Sequence, residues 1–113
     1  MSELNKISMD GNIFGIALNY KCLYEKLQAQ FNEKPYVNEP KKPVLFIKTP
    51  NTRNQSGNPV VKQKDDILQA GPALGIVIGK STSRVSENDA LSHVAGFVAV
   101  NELSLPEDSY YRP

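Results

Sequence analysis

A small α+β domain in which strands outnumber helices is the fold class this sequence predicts. Three features predict it. Apolar runs of strand length, rich in β-branched and aromatic residues, recur at 13–18 (IFGIAL), 44–48 (VLFIK), 73–78 (ALGIVI) and 97–102 (FVAVNE). Helical spacing is confined to two stretches, 20–32 and 86–93. The segments between are dense in Pro, Gly and Asn, which favour turns and extended joints.

Residues 1–11 read as a polar N-terminal tail and 12–113 as one domain. Across 20–32, Leu23, Leu27 and Phe31 lie four apart, with Tyr20 and Tyr24 near the same side. Glu25, Lys26, Gln28 and Gln30 fill the opposite face, and Pro35 ends the segment. Residues 33–43 (EKPYVNEPKKP) read as an extended surface segment. The stretch TPNTRNQSGNP reads as a turn-rich loop, and Val60–Val61 as a short strand. Gly75, inside an apolar strand, marks a bulge or a close approach of backbone. In the second helix Ser86 is placed to cap, with Asp89 three residues on as its box partner. The last residues, LSLPEDSYYRP, trail into loop. The expected core is Ile16, Leu18, Leu27, Phe46, Ile76, Ile78, Val94, Phe97 and Val98.

Composition narrows the functions. The chain has 113 residues, 40% hydrophobic and 22% charged, which is ordinary for a folded domain and unlike a disordered one. A net charge of +1 gives no field that gathers nucleic acid or an anionic membrane. Lys41–Lys42, the densest basic spot, reads as a solvated loop. The apolar runs are too short to span a bilayer, and MSELNKISMDG lacks the apolar core of a signal peptide. With one cysteine no internal disulfide can form. A cytoplasmic location, without nucleic-acid or membrane partners, is therefore expected.

Residue spacing carries little chemistry. No Cys pair, His pair, phosphate-binding loop or nucleophile elbow is present. His93, the single histidine, reads first as a structural residue at a helix end and second as a general base. Cys22 reads as a partly buried, inert thiol rather than a reactive one. Asp65–Asp66 and Glu107–Asp108 read as solvated turns, and the five tyrosines as filling for a small core rather than a ligand site.

The order of segments is more specific. IFGIALNY, a helix, KPVLFIKTPNT, a Gly/Pro loop, ALGIVIGK and DALSHVAGFVAVNELS together resemble the fumarylacetoacetate hydrolase family over about residues 12–113. The ending NELSLPEDSYYRP is similar to the branch of bifunctional isomerase/decarboxylases of homoprotocatechuate breakdown. The resemblance implies a partial mixed β-roll with two short helices, the family's remaining strands lying beyond Pro113. It also implies a reaction on 2-oxo or 2-hydroxy-diene dicarboxylic acids, with Mg²⁺ or Mn²⁺ held by carboxylates as the cofactor of intact members.

Carried over residue by residue, that machinery is depleted. The two carboxylates of the family's E-x-E step fall on Gly71 and Ala73. The Asp of its N-D-x-S step is replaced by Glu102 within Asn101–Glu102–Leu103–Ser104, a vestigial metal ligand at most. Asn19–Tyr20 match the family's N-Y step, but the catalytic His falls on Leu23 and its partner Glu on Lys26. Glu25 is one residue away, about 100° around a helix. Where Arg, Asp and Gln follow in relatives, Pro106, Glu107 and Ser109 stand here. Lys48 is retained; the resemblance implies contact with a substrate carboxylate, whereas its position alone fits a strand-end lysine that snorkels. The expectations are no catalytic residue, no cofactor in this chain, and a partner half that self-associates or joins a longer family subunit. The competing expectation is an active isomerase or decarboxylase using Glu102, Lys48 and His93.

Overall fold

The computed structural model describes residues 10–111, so most of the polar tail, residues 1–9, lies outside the described residues. The fold is a small, strand-dominated α+β arrangement with two helices and two antiparallel two-stranded sheets among the described residues. It divides into two compact units. One runs from Asn12 to Gln63 and takes in the residues from Glu107 onward; the other runs from Lys64 to Pro106.

In the first unit, β1 (Ile13–Ala17) pairs antiparallel with β2 (Val44–Lys48), Ile13 opposite Lys48 and Ala17 opposite Val44. Gly15 lies under the Phe46 ring, and a Cβ at position 15 would meet that ring at 2.0 Å. The chain leaves β1 through Leu18, whose φ of 58° is left-handed. That conformation is costly for a side chain of this size; here it sends a buried Leu into the core. Helix α1 (Lys21–Leu27) follows, with Lys26 in its last turn where a cation suits the dipole, and a 3₁₀ turn (Gln28–Gln30) extends it.

The expected four-residue spacing does work as a helix face. Leu23 and Leu27 pack on a cluster of Leu18, Phe31 and Tyr36, joined by Ala17, Tyr24 and Tyr111. Phe31 is the centre, 1% exposed. Its ring centroid lies 5.1 Å from Tyr24, 5.7 Å from Tyr36 and 6.0 Å from Tyr111, in tilted and edge-on arrangements that suit aromatic quadrupoles. One part of the sequence reading is corrected here: Tyr36, placed in an extended surface segment, is buried. Residues 105–111 are loop, as expected, and their tyrosines are tied to that segment. The Tyr110 N–H donates to Tyr36 Oη at 3.2 Å, and the Tyr111 hydroxyl donates to the Asn38 carbonyl. The loop after β2 is ordered by its own side chains. Thr52 Oγ1 donates to the Thr49 carbonyl around a 3₁₀ turn (Pro50–Thr52), and Asn54 Nδ2 donates to the Pro59 carbonyl.

In the second unit, β3 (Gln69–Ile78) and β4 (Val94–Ser104) form a long antiparallel pair with Gln69 opposite Ser104 and Gly75 opposite Val98. Both strands are longer than their apolar runs. The sequence's bulge-or-approach alternative at Gly75 resolves to close approach: a Cβ there would lie 2.6 Å from Val98 Cγ1. The ladder's irregularity falls instead between Val77 and Ile78. Between the strands, α2 (Glu87–Ala90) continues into a 3₁₀ turn (Leu91–His93). The predicted cap is present. The Ser86 hydroxyl accepts from the Asp89 N–H at 3.3 Å and donates to Asp89 Oδ2 at 2.7 Å. Val60 and Val61 are not in a strand; both are exposed.

The predicted core is corrected in part. Leu18 is buried, Leu27 packs on the cluster, and Phe46, Val94 and Val98 are half-buried. Ile16, Ile76, Ile78 and Phe97 are exposed. Cross-strand partners share a face, so Phe14, Ile16, Leu45 and Ile47 share one exposed face of β1–β2. Leu74, Ile76, Ile78 and Phe97 likewise share one exposed face of β3–β4.

Replacing Phe31 by Ala should therefore lower unfolding free energy by about 3–5 kcal/mol, the usual cost of emptying a buried aromatic site. Phe14→Ala, on the exposed β1–β2 face, should cost less than about 1 kcal/mol. Urea unfolding of the two variants followed by circular dichroism measures both; equal losses would contradict a core centred on Phe31.

Candidate functional site

The register of β3 and β4 decides what the family-matched positions can do. Gly71 lies directly opposite Glu102, Ala73 opposite Val100, and Gly75 opposite Val98. These residues alternate onto one face of the pair. The three positions that the resemblance assigns to carboxylates therefore converge on one face at one end of the hairpin. A Cβ on Gly71 would stand 3.3 Å from the Glu102 carbonyl oxygen and 4.0 Å from Glu102 Cβ. Glu102, half-buried, supplies the carboxylate of this cluster; Gly71 and Ala73 supply no side-chain donor. Among the described residues no three His, Cys, Asp or Glu side chains gather as a metal-binding group.

His93 sits at the opposite end of the same pair. Its carbonyl accepts from the Gly79 N–H at 2.8 Å, and its Nδ1 lies 3.1 Å from Thr82 Oγ1. Thr82 also donates to the Lys80 carbonyl at 2.8 Å. The imidazole thus ties the loop after β3 to the start of β4. From Gly71 to Gly79 the strand covers eight residue steps, about 26 Å at 3.3 Å per residue. That span is far outside the reach of a proton transfer to anything bound at Glu102.

The remaining positions lie in the other unit. On α1, Leu23 turns into the aromatic cluster while Lys26 and Glu25 are exposed. Cys22 is exposed on the same helix, correcting the expectation of a partly buried thiol. Lys48 ends β2 half-buried, its Nζ 5.6 Å from the Phe46 ring centroid, so its charge rests over a neighbouring aromatic face.

A cleft of about 260 Å³ opens beside α1, lined by Ile16, Leu18, Asn19, Tyr24, Lys42 and Val44 among others. Sequence reasoning did not point to it, because Asn19 and Lys42 come together only when β1 pairs with β2. Its Tyr24 hydroxyl donates to the Glu39 carboxylate. That hydrogen bond first, then desolvation and the charge of Glu39, hold the Tyr24 pKa above the ordinary tyrosine value. Tyr24 is therefore a neutral donor at physiological pH and no base. Because its folded-state pKa is raised, the stabilisation from this link is present below the unfolded tyrosine pKa and is lost as pH rises through the folded one.

The comparisons with known proteins agree with the segment order. A family model described as the fumarylacetoacetate (FAA) hydrolase C-terminal domain matches residues 12–109. A 4-hydroxyphenylacetate degradation bifunctional isomerase/decarboxylase of Escherichia coli is 37% identical over 105 residues, 93% of this chain and 24% of the relative. A homoprotocatechuate catabolism bifunctional isomerase/decarboxylase of Escherichia coli is also 37% identical over 105 residues, covering 25% of its length. A 2,4-didehydro-3-deoxy-L-rhamnonate hydrolase of Sphingomonas is 36% identical over 95 residues, 83% of this chain and 30% of the relative. The chain thus spans about a quarter of the length of the bifunctional relatives.

Ultraviolet titration tests the Tyr24 link. Glu39→Gln removes the charge and weakens the acceptor, so one tyrosine should ionise at lower pH than in the wild type. An unchanged titration curve would mean that Glu39 does not hold the Tyr24 proton. On the match across residues 12–109, the chain belongs to the fumarylacetoacetate hydrolase family.

Proposed function

We propose that this chain is a non-catalytic member of its family, acting as a partner half that associates with a second copy or a longer family subunit. The observation that carries this reading is the cross-strand cluster of Gly71, Ala73 and Glu102. Mg²⁺ and Mn²⁺ are hard ions that take about six oxygens in a set geometry. One carboxylate beside a glycine and an alanine does not fit such an ion, so no step of a reaction is routed through it. The base is missing as well: Leu23 packs in the aromatic cluster and Lys26 is exposed. Association is supported by the two sheets, each only two strands wide, because unpaired edges and uncovered faces favour pairing with another chain. No helix of the described residues is long and apolar enough to cross a membrane. With a single, exposed cysteine, a reducing cytoplasm is the proposed setting.

A second reading keeps the activity in the relatives' names, a metal-dependent isomerisation or decarboxylation of 2-oxo or 2-hydroxy-diene dicarboxylic acids. The carboxylate of Glu102 and the retained Lys48 favour it. The distance of His93 from Glu102 along the hairpin opposes it, since that imidazole then stands outside proton-transfer reach of the carboxylate.

Calorimetry separates the two. The wild-type chain should bind neither Mg²⁺ nor Mn²⁺ below the millimolar range. The double variant Gly71→Glu/Ala73→Glu should gain measurable affinity, because both new carboxylates would join Glu102 on one face. Without base and metal, turnover of a 2-hydroxy-diene dicarboxylate should stay at background, general acid–base assistance alone being worth about 10²–10⁴ in rate. Micromolar metal binding by the wild type that Glu102→Gln abolishes, or turnover with added Mg²⁺, would establish the second reading.

A further inference from the structure

We propose that Tyr36 and Tyr111 form an oxidative cross-linking site, where a one-electron oxidant joins the two rings through a carbon–carbon bond. The proposal concerns the aromatic cluster and stands whether or not the chain is catalytic. Tyr36 and Tyr111 are held ring against ring, with centroids 4.7 Å apart and planes tilted by 31°. A tilt of that kind brings one edge of each ring nearer to the other than the centres are. Both rings rest against Phe31, at 5.7 Å and 6.0 Å between centroids. The Tyr110 N–H donates to Tyr36 Oη at 3.2 Å, and the Tyr111 hydroxyl donates to the Asn38 carbonyl. Tyr36 is buried and Tyr111 half-buried, so the pair is fixed by packing on one side and by hydrogen bonds on the other. Two reactants held in this way react as one molecule, with an effective concentration far above that of a free encounter. The other tyrosines are placed differently. Tyr24 packs on the Phe31 ring, which forms no phenoxyl radical, and Tyr20 is 55% exposed.

The chemistry balances as follows. Each phenol gives one electron to the oxidant and its hydroxyl proton to solvent, which leaves two phenoxyl radicals with spin on the carbons ortho to oxygen. One ortho carbon of each ring couples, forming the carbon–carbon bond. The hydrogens on the two coupled carbons then move as protons to the oxygens, and both rings regain aromaticity. Two electrons and two protons leave in all. The oxidant is an outer-sphere one-electron acceptor, such as a ferryl haem or a ruthenium(III) complex. The product ties the segment at Tyr36 to the residues after β4. Because the new bond is between carbons, thiol reductants do not cleave it. A cross-link between residues so far apart in sequence removes freedom from the unfolded chain and so favours the folded one. The pair is therefore a lock that oxidation closes.

Oxidation of the dilute full chain by photogenerated tris(bipyridine)ruthenium(III), with persulfate as the terminal electron acceptor, tests the site. The wild type should give a monomer two hydrogens lighter, with dityrosine fluorescence and a raised melting temperature. Fragmentation of its digest should place the link between Tyr36 and Tyr111. Tyr111→Phe keeps the ring and removes the phenol. It should lower the yield of this monomer at least about tenfold, the advantage of a pre-positioned pair being far larger than that, while far-UV circular dichroism stays unchanged. Tyr110→Phe, which keeps the N–H bonded to Tyr36, should leave the yield as it was, and so should Tyr20→Phe. Urea unfolding before oxidation should abolish the preference for this pair. A link that joins other tyrosines within the monomer, a yield indifferent to Tyr111→Phe, or cross-links found only between molecules and rising with concentration would overturn the proposal.

Discussion

Gly75 against Val98 is the contact on which the second unit depends. With a Cβ at position 75 placed 2.6 Å from Val98 Cγ1, no side chain larger than hydrogen fits without moving the Val98 side chain. Gly79 repeats the constraint nearer the closed end, where a Cβ would meet the Ala95 Cβ at 2.7 Å. A one-residue slip in an antiparallel pair turns every side chain to the other face. These close approaches resist such a slip, since it would put Leu74 or Ile76 at Gly75's place against β4. The register they hold sets Gly71 opposite Glu102 on one face and Leu74 beside Ala99 on the other. One face carries glycines, Ala73, valines and the Glu102 carboxylate, the other Leu74, Ile76, Ile78 and Phe97, and neither character survives a shift.

Much of this was legible in the sequence, and the failures share a cause. The four strands, the four-residue helix spacing through Leu23, Leu27 and Phe31, and the Ser86–Asp89 cap are local patterns, and local patterns survive into the fold. What β3 and β4 add beyond the apolar runs is Gln69, Ala70, Gly71 and Pro72 on one strand, and Val94, Ala95, Gly96, Leu103 and Ser104 on the other. Gly and Pro are poor strand formers, so only the cross-strand ladder reveals them as strand. Ile76, Ile78 and Phe97 were expected inside because periodicity reports which residues share a face; it does not report what lies above that face. Tyr36 failed in the opposite sense. Between prolines and charges it has no period at all, and its burial comes from Phe31 and Tyr111, distant in sequence.

Of the candidate site, the resemblance supplied positions and the structure supplied proximity. Composition and spacing pointed to no chemistry at Gly71, Ala73 or Glu102, because a glycine and an alanine carry no chemical signal. Only the ladder shows that they adjoin. Leu23 is the complementary case. A histidine at that point of the helix would bring a polar ring to a cluster built from Leu18, Phe31, Tyr36 and Tyr111. Leucine there lengthens the apolar face instead, packing against the cluster at the position that the resemblance assigns to a base.

The same logic extends to the face that carries Glu102. Carboxylates placed directly across a sheet repel one another, and each raises the other's pKa unless a cation intervenes. A face with three of them folds at neutral pH with a bound ion or at a cost in repulsion. With Gly71 opposite Glu102 and Ala73 one row further on, neither position sets a second carboxylate against Glu102. Restoring either carboxylate alone would reintroduce the repulsion without completing a coordination shell.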